Sequence, residues 1–267
     1  MEAVDEGVVN AISIVVNGSH LAECISLLEN RSLKTALHIN IVSGKPVSKE
    51  ISGILIGKDR EFCLSFKELL IASYNPLVRN RYKSALKAEL LAQIKLYTQY
   101  FSGPLRLDSH CHYHMIPVVF DALIEAIRES NMEVDYIRFH AEKRLPGMPG
   151  FVLPINFIKA KTLSILCRRN RKKHFGTVKN MEDQAFFGIL YSGSMNMKVV
   201  KNIRDHIAED CEILFHPGGC YEREDLESIK HKGDLKFFSS KNRIVELRTL
   251  KALREAAENV GSNQDYR

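Results

Sequence analysis

Two hydrophobic patterns alternate along most of the chain, and this alternation constrains the fold more than any other feature. Short apolar runs rich in β-branched or aromatic residues are followed by longer segments of helical periodicity. Such an order is typical of strand–helix–strand units around a parallel sheet. The predicted strands are 8–16, 36–42, 105–114, 134–140, 186–191 and 211–216. The clearest predicted helices are 85–100, 117–128, which has proline at its first position, and 242–257.

The length and composition fit an ordinary folded protein. The chain has 267 residues, of which 45% are apolar and 26% charged, enough to bury a substantial core. This excludes a disordered, collagen-like or disulfide-scaffold chain. There is no internal repeat or low-complexity linker, so we predict a single domain over 1–267. Segments 43–66 and 142–154 are predicted to be long loops, which in a barrel usually shape the substrate entrance.

Charge and cysteine content predict a soluble cytoplasmic protein without a nucleic-acid partner. No stretch approaches the roughly 20 apolar residues of a membrane span, and the acidic N-terminus does not resemble a secretory leader. The six cysteines are scattered singly, as expected for reduced thiols. The net charge is +6, and its densest basic run, 168–173, is explained by a cationic helix C-terminus without interleaved aromatic residues.

The segment 107–114, Leu-Asp-Ser-His-Cys-His-Tyr-His, carries the strongest chemical signal. In a strand, alternate side chains share a face, so Asp108, His110, His112 and His114 are predicted to point the same way. Neutral imidazoles bind divalent metals, and a carboxylate can orient them, so this pattern suits a metal site. The alternative is a structural hydrogen-bonded cluster, which is the favoured interpretation for His114.

Polar residues also end three other predicted strands. His38 and Asn40 share one face of strand 36–42, His216 precedes a Pro-Gly-Gly turn, and Arg138 and His140 end strand 134–140. Alone, His38 would be interpreted as a core histidine. The carboxyl ends of strands in a (β/α) barrel meet at one mouth, so four polar strand ends together indicate a catalytic set.

These segments resemble the YdjC-like, chitooligosaccharide-deacetylase-like family of carbohydrate deacetylases, which includes hopanoid-biosynthesis-associated members. The block 107–117 is specific, and weaker motifs occur in the expected order along nearly the whole chain. These are Ile14-Val15-Val16-Asn17, Leu37-His38-Ile39-Asn40 with Gly44-Lys45-Pro46, Glu89 with Gln93, Phe186-Phe187-Gly188 with Ser192-Gly193, Phe215-His216-Pro217-Gly218-Gly219, and Asn242-Arg243 with Glu246-Leu247.

The resemblance implies a distorted, incomplete (β/α) barrel that removes N-linked acetyl groups from sugars with a divalent metal ion, Mg²⁺ or Zn²⁺. The matching metal ligands are His38 and His110, and His216 matches the general acid. Asp108 is assigned to the catalytic set as the partner that fixes an imidazole. His112, Arg138 and Asn40 are the predicted substrate contacts. The implied partner is an acetylated amino sugar or oligosaccharide, and a homodimer is left open.

One departure from the family pattern concerns the metal carboxylate. Family members begin with a strand ending in Asp-Asp-Phe-Gly, whereas residues 2–9 here align with the helix end and glycine that precede the second strand. The chain also ends before the family's final strand. Three explanations are open: a start codon upstream, a pseudoenzyme, or replacement of the carboxylate by Asp108. The first is favoured, because a barrel without its first strand would expose unpaired backbone edges.

Two further functions compete with deacetylation. A noncatalytic sugar-binding or oligomer-forming relative would fit the missing carboxylate motif. Another metal-dependent hydrolase, an amidohydrolase or a phosphoesterase, would also use His-x-His at a strand end. In those proteins the pair usually belongs to the first barrel strand, and here it lies mid-chain, which counts against them.

Overall fold

The computed structural model describes residues 1–49, 53–139, 142, 144–148, 152–178, 184–218 and 232–262. The chain divides into two compact units. The four-strand unit comprises Ala11–His140 and Thr162–Asp183, and the two-strand unit comprises Met1–Asn10, Ala141–Lys161 and Gln184–Arg267. The single domain expected over 1–267 stays a prediction.

The elements follow one another in the alternating order that the sequence indicates. The strands are β1 (Ala11–Ile14), β2 (Lys34–Ile39), β3 (Leu105–Ser109), β4 (Val134–Ile137), β5 (Ala185–Phe187) and β6 (Cys211–Ile213). The helices are α1 (Glu2–Asp5), α2 (Leu21–Leu28), α3 (Phe66–Tyr74), α4 (Arg79–Tyr97), α5 (Pro117–Ser130), α6 (Pro154–Lys173), α7 (Phe175–Val178), α8 (Met197–His206), α9 (Lys232–Phe238) and α10 (Asn242–Ser262). A 3₁₀ turn, His110–Met115, follows β3 directly.

The four-strand unit is built on a parallel sheet of order β1-β2-β3-β4. Leu37 of β2 and Leu107 of β3 are in register and fully buried, because a parallel sheet with helices packed against it is shielded from water. The same register places His38 beside Asp108. All four carboxyl ends of a parallel sheet lie at one edge, and this edge carries the polar residues described below.

Helix α4 packs against β2 and against α5, and ionic contacts to one buried carboxylate link α4 and α5 to α6. Asp121 of α5 is buried and accepts hydrogen bonds from Arg79 of α4, Lys173 of α6 (2.8 Å) and His174 (2.7 Å). Burial alone would raise the pKa of the Asp121 carboxyl, but these donors hold it below its usual range. The basic end of α6 therefore has a specific structural partner in a carboxylate on α5.

The two-strand unit contains the parallel pair β5–β6, with Phe187 opposite Ile213. Gly188 follows β5 at a close approach, where a Cβ atom would lie 2.6 Å from Leu214 Cβ. Asn196 caps α8 by accepting hydrogen bonds from the backbone N–H groups of Lys198 and Val199. The Phe-Phe-Gly motif thus marks a place where two chain segments are too close for a side chain.

The six predicted strands all exist, but each is shorter than the sequence pattern indicated. The largest correction concerns 105–114, because β3 ends at Ser109 and the 3₁₀ turn replaces the rest. Strand 134–140 ends at Ile137, and His140 lies outside the described residues. Helix 117–128 is confirmed and extends to Ser130, whereas helix 85–100 begins six residues earlier, at Arg79. Apolar periodicity identifies the buried residues but not the hydrogen-bond pattern at an element's ends.

Residues 50–52 lie outside the described residues, and the rest of the loop expected at 43–66 is confirmed up to the start of α3 at Phe66, with one isolated antiparallel bridge, Ile56 to Phe62. Part of the loop expected at 142–154 lies outside the described residues. Within the described part of the chain, every helix is too short or too polar to cross a bilayer. The parallel α/β class is confirmed, and closure of the sheets into a barrel stays a prediction.

Candidate active site

Asp108 is the centre of a buried polar network at the carboxyl edge of the four-strand sheet. Its Oδ1 accepts a hydrogen bond from His38 Nδ1 at 2.7 Å, across the register pair of β2 and β3. Its Oδ2 accepts a hydrogen bond from Ser13 Oγ of β1 at 2.8 Å and forms an ion pair with Arg138, which follows β4. Side chains from β1, from β2 and from the end of β4 therefore meet on one carboxylate of β3.

The network keeps Asp108 ionised although the residue is buried. Burial alone would raise the pKa of the carboxyl group, but the Arg138 charge and the hydrogen bonds from His38 and Ser13 hold that pKa well below its usual range. An acceptor of this kind fixes the proton of His38 on Nδ1. The lone pair of the ring is then on Nε2, which is the form in which imidazole binds a metal.

The chain turns sharply after β3, and this overturns the expectation that four polar residues share a strand face. Cys111 (φ 51°) and His112 (φ 61°) both have left-handed backbone conformations within the turn His110–Met115. His110 and His112 therefore do not alternate with Asp108 as strand residues would. Consecutive left-handed residues other than glycine are uncommon and strained, and such strain is typical of functional sites.

His114 is a structural residue, as the sequence interpretation favoured. Its Nε2 donates a hydrogen bond to the Arg138 carbonyl at 2.8 Å, and its Nδ1 accepts one from the Ser109 hydroxyl. The backbone N–H of His114 also donates to Ser109 Oγ at 3.0 Å. Burial lowers the pKa of His114 to about 4, so the ring is neutral at physiological pH. His114 closes the turn and fixes the backbone of Arg138.

His38 and His110 lie side by side despite the 3₁₀ turn. Their rings meet edge to face with centroids 5.9 Å apart. Two imidazoles that ligate one tetrahedral ion through Nε2 or Nδ1 would have centroids about 5 to 6 Å apart, given metal–nitrogen bonds of about 2.0 Å. The separation and the Nδ1–H tautomer of His38 fit two ligands of one divalent ion.

Among the described residues, His38 and His110 are the two imidazoles that the structure brings together for such an ion. In the part of the chain that the structure describes, no three His, Cys, Asp or Glu side chains form a metal-binding group. Both Asp108 oxygens already accept hydrogen bonds from Ser13, His38 or Arg138. Asp108 is therefore placed to orient His38 rather than to substitute as a ligand.

The side chain of Asn40 forms hydrogen bonds to other residues of the protein. Its Nδ2 donates to Asn17 Oδ1 (3.2 Å) and to the Ser43 carbonyl (3.0 Å), while its Oδ1 accepts from the backbone N–H groups of Val42 and Ser43. These bonds shape the chain as it leaves β2 and account for the asparagine without a substrate. Substrate contact by Asn40 stays a prediction.

Glu89 and Gln93, one turn apart on α4, fasten the loop after β2. Glu89 accepts hydrogen bonds from the backbone N–H groups of Val47 (3.0 Å) and Ser48 (2.9 Å). Gln93 pairs with both backbone groups of Asn40 and donates to Glu89. Burial raises the pKa of Glu89, and the backbone bonds only partly oppose that shift. These residues hold the loop beside His38.

His216 lies in the two-strand unit, after β6. Its backbone N–H donates to Glu246 of α10 at 2.5 Å, and its carbonyl accepts from Arg243 Nε at 3.1 Å. The ring packs edge to face against Phe237, with centroids 5.4 Å apart. Glu246 also accepts a hydrogen bond from the Met195 N–H. The backbone of His216 is thus anchored to α10, and its role as general acid stays a prediction.

Comparison with known proteins identifies the family. The family model described as YdjC-like protein matches residues 1–256. The chain belongs to the YdjC-like family. A carbohydrate deacetylase of Clostridium beijerinckii is 22% identical over 244 residues, which cover 91% of this chain and 88% of that protein. A human carbohydrate deacetylase is 25% identical over 277 aligned positions, which cover 94% of this chain and 79% of that protein.

A solved structure confirms the fold assignment. A protein of Enterococcus faecalis V583 assigned to cellobiose-phosphate cleavage aligns with a TM-score of 0.58 over 97% of this chain and 86% of its own. Its 14% sequence identity supports the fold alone. The mixed α/β architecture with a parallel sheet is therefore that of a solved protein.

Sequence reasoning missed Ser13 in this YdjC-like chain. Ser13 lies 95 residues from Asp108, and its polar side chain interrupts the apolar run Ile12–Val16. A polar residue between the apolar residues Ile12 and Ile14 of a predicted strand is the one signal that could have indicated it. His112 is half-buried in the turn, where burial and the Arg138 charge keep its pKa well below the usual range.

Proposed function

We propose that the chain is a carbohydrate deacetylase that hydrolyses the N-acetyl group of an amino sugar or oligosaccharide, with a divalent metal ion held by His38 and His110. The observation that carries the proposal is the Asp108–His38 pair beside His110. Membership of the YdjC-like family and two relatives named carbohydrate deacetylase support the reaction class.

Each residue of the network has a defined task in this proposal. Asp108 holds the proton of His38 on Nδ1, and Arg138 and Ser13 hold Asp108 in place. The buried ion pair keeps the carboxylate charged, so the imidazole stays oriented through the reaction. When bound, a divalent ion activates a water molecule and polarises the acetyl carbonyl.

The departing amine needs a proton, since a free amide anion is a very poor leaving group. His216 is the proposed donor. Its backbone is held by Glu246 and Arg243, and its ring packs against Phe237.

His112, Arg138 and Asn40 are the proposed substrate contacts. The side chain of Asn40 already has partners within the turn after β2, and Arg138 pairs with Asp108. His112 is therefore the contact to test first. We expect His112→Ala to raise KM more than it lowers kcat.

The experiment is acetate release from N,N′-diacetylchitobiose with Mg²⁺ or Zn²⁺. We expect His38→Ala and His110→Ala each to lower kcat/KM at least a hundredfold, and the exposed His20→Ala to leave it unchanged. Release that survives both substitutions would reject the assigned site.

Thermal stability and acetate release, measured on the same protein, distinguish deacetylation from the noncatalytic alternative. A sugar-binding relative would be stabilised against heat by the disaccharide but would release no acetate. Hydrolysis of a phosphate ester in place of the amide would favour the phosphoesterase alternative. Acetate release that depends on His38 and His110 is the outcome expected of a deacetylase.

A further inference from the structure

Helix α6 carries charge of one sign only. Its 20 residues, Pro154–Lys173, include seven lysines and arginines and no aspartate or glutamate. The formal charge of this one helix is +7, compared with +6 for the whole chain. Three of the basic residues lie in its last turn, where the helix dipole favours them, but the other four, Lys159, Lys161, Arg168 and Arg169, lie outside it.

One face of α6 packs into the protein. Its buried residues recur at helical spacing, and they are Ala160, Leu163, Leu166, Cys167 and Asn170. Asn170 Nδ2 donates to the Met115 carbonyl at 2.9 Å, and Asn156 Nδ2 donates to the Leu190 carbonyl at 3.2 Å. These contacts fix which side of the helix faces outward.

The opposite face combines aliphatic and basic side chains. It carries Ile158, Lys161, Ile165, Arg168 and Lys172, spaced by three or four residues on a continuous helix, so helical geometry alone places them together. All five are exposed. The exposed fractions of Ile158 and Ile165 are 59% and 56%, respectively. We call these five residues the outer face of α6.

Further large apolar side chains are exposed at both ends of this helix. Leu153, Ile155 and Phe157 are exposed near its start, and Phe175 is exposed just after its end. Isolated exposed apolar residues are normal, but a group along one basic helix indicates an interaction surface.

We propose that the outer face of α6 docks onto an anionic lipid surface. Its isoleucines contact the acyl boundary while Lys161, Arg168 and Lys172 extend their long side chains to the headgroups. Exposed apolar and basic residues on one helix are the combination that interfacial helices use. The absence of any acidic residue on α6 removes the repulsion that such headgroups would otherwise meet.

Lipid fits this face better than nucleic acid or a protein groove. Nucleic acid would use the basic residues, but an exposed isoleucine pair contributes nothing to phosphate contacts or base stacking. A protein partner would need complementary carboxylates at fixed positions. An anionic lipid surface offers negatively charged headgroups next to an apolar acyl layer, and its charges are not fixed at particular positions.

Vesicle co-sedimentation of the full chain tests the proposal. Vesicles of phosphatidylcholine with about 30% phosphatidylglycerol are compared with pure phosphatidylcholine, at low and at 0.5 M salt. We expect binding to the anionic vesicles only, weakened by salt. Ile158→Glu with Ile165→Glu should reduce it at least tenfold. Both positions are exposed, and circular dichroism checks that the variant folds.

A matched pair of charge variants separates position from total charge. The triple variant Lys161→Glu, Arg168→Glu, Lys172→Glu and the control Lys58→Glu, Lys67→Glu, Lys201→Glu each change the formal charge by six, from +6 to zero. The control lysines are exposed and lie outside α6. We expect the α6 variant to lose binding at least tenfold more than the control.

Three outcomes would overturn the proposal. The first is equal loss in both charge variants, and the second is no vesicle binding by the unmodified chain. The third is retention on single-stranded RNA that depends on the α6 charges and not on Ile158 and Ile165, which would identify a nucleic-acid surface instead. None of these measurements depends on deacetylase activity.

Discussion

Asp108 and Arg138 form an ion pair in which both side chains are almost completely buried, with 1% and 5% exposed. Two charges removed from water must compensate each other, so each one is costly when its partner is lost. Arg138 is itself held by His114, which accounts for its fixed position beside the carboxylate. This pair is the support on which His38 depends.

A double-mutant cycle measures that support. We expect Asp108→Asn and Arg138→Gln each to lower the free energy of unfolding by about 3 to 5 kcal/mol, since each leaves an uncompensated buried charge or donor. The double variant should lose less than the sum of the two, with a coupling of about 1 to 3 kcal/mol. Urea unfolding gives all four values, and strictly additive losses would show that the two residues act independently.

His114 should titrate far below an ordinary histidine. Its folded pKa is about 4 and its ordinary value 6.5, so between these pH values the unfolded chain binds the proton and the folded chain does not. Stability therefore falls as the pH is lowered from about 6.5 to 4. His114→Gln should lack that part of the slope. An NMR titration of the labelled histidines that assigns His114 a midpoint above 6 would contradict this.

Cys111 tests the strain in the turn after β3. Because its φ is 51°, Cys111→Val should be less stable than Cys111→Gly by about 1 to 2 kcal/mol. Cys63, which is also exposed, is not among the left-handed residues of the described chain. There the order should reverse, with glycine the less stable variant. Thermal unfolding of the four variants tests this prediction. If the valine and glycine variants have the same order of stability at both positions, the turn is not strained at Cys111.

Glu89 should matter more to stability than other acidic residues near the same helices. Glu89→Ala leaves two partly buried backbone N–H groups, those of Val47 and Ser48, without their acceptor, so we expect a loss of about 1 to 3 kcal/mol and faster proteolysis within 43–66. Glu125→Ala removes a half-exposed ion pair with Lys83 and should cost about 1 kcal/mol or less. If Glu89→Ala and Glu125→Ala lower the free energy of unfolding equally, and cleavage within 43–66 is unchanged, Glu89 does not hold this loop in place.

The alternating sequence pattern predicted the parallel sheet and the start of α5 at Pro117, and the polar strand ends predicted that His38 and Asp108 belong to one site. It failed at the end of β3, because Cys111 and His112 adopt left-handed backbone conformations. Such conformations are usually predicted from glycine or asparagine, and neither residue is present in this turn. It also missed the Ser13 bond, since contacts between residues 95 positions apart depend on strand order. Side-chain chemistry was therefore easier to predict than the turn that presents it.

The central claim is that His38 and His110 bind the same divalent ion. Isothermal titration with Zn²⁺ tests it on the full chain, His38→Ala, His110→Ala, the double variant and the exposed His20→Ala. We expect one ion per chain, an affinity at least tenfold lower in each single variant, and no change in His20→Ala. Single variants that bind Zn²⁺ as tightly as the unmodified chain would contradict the account.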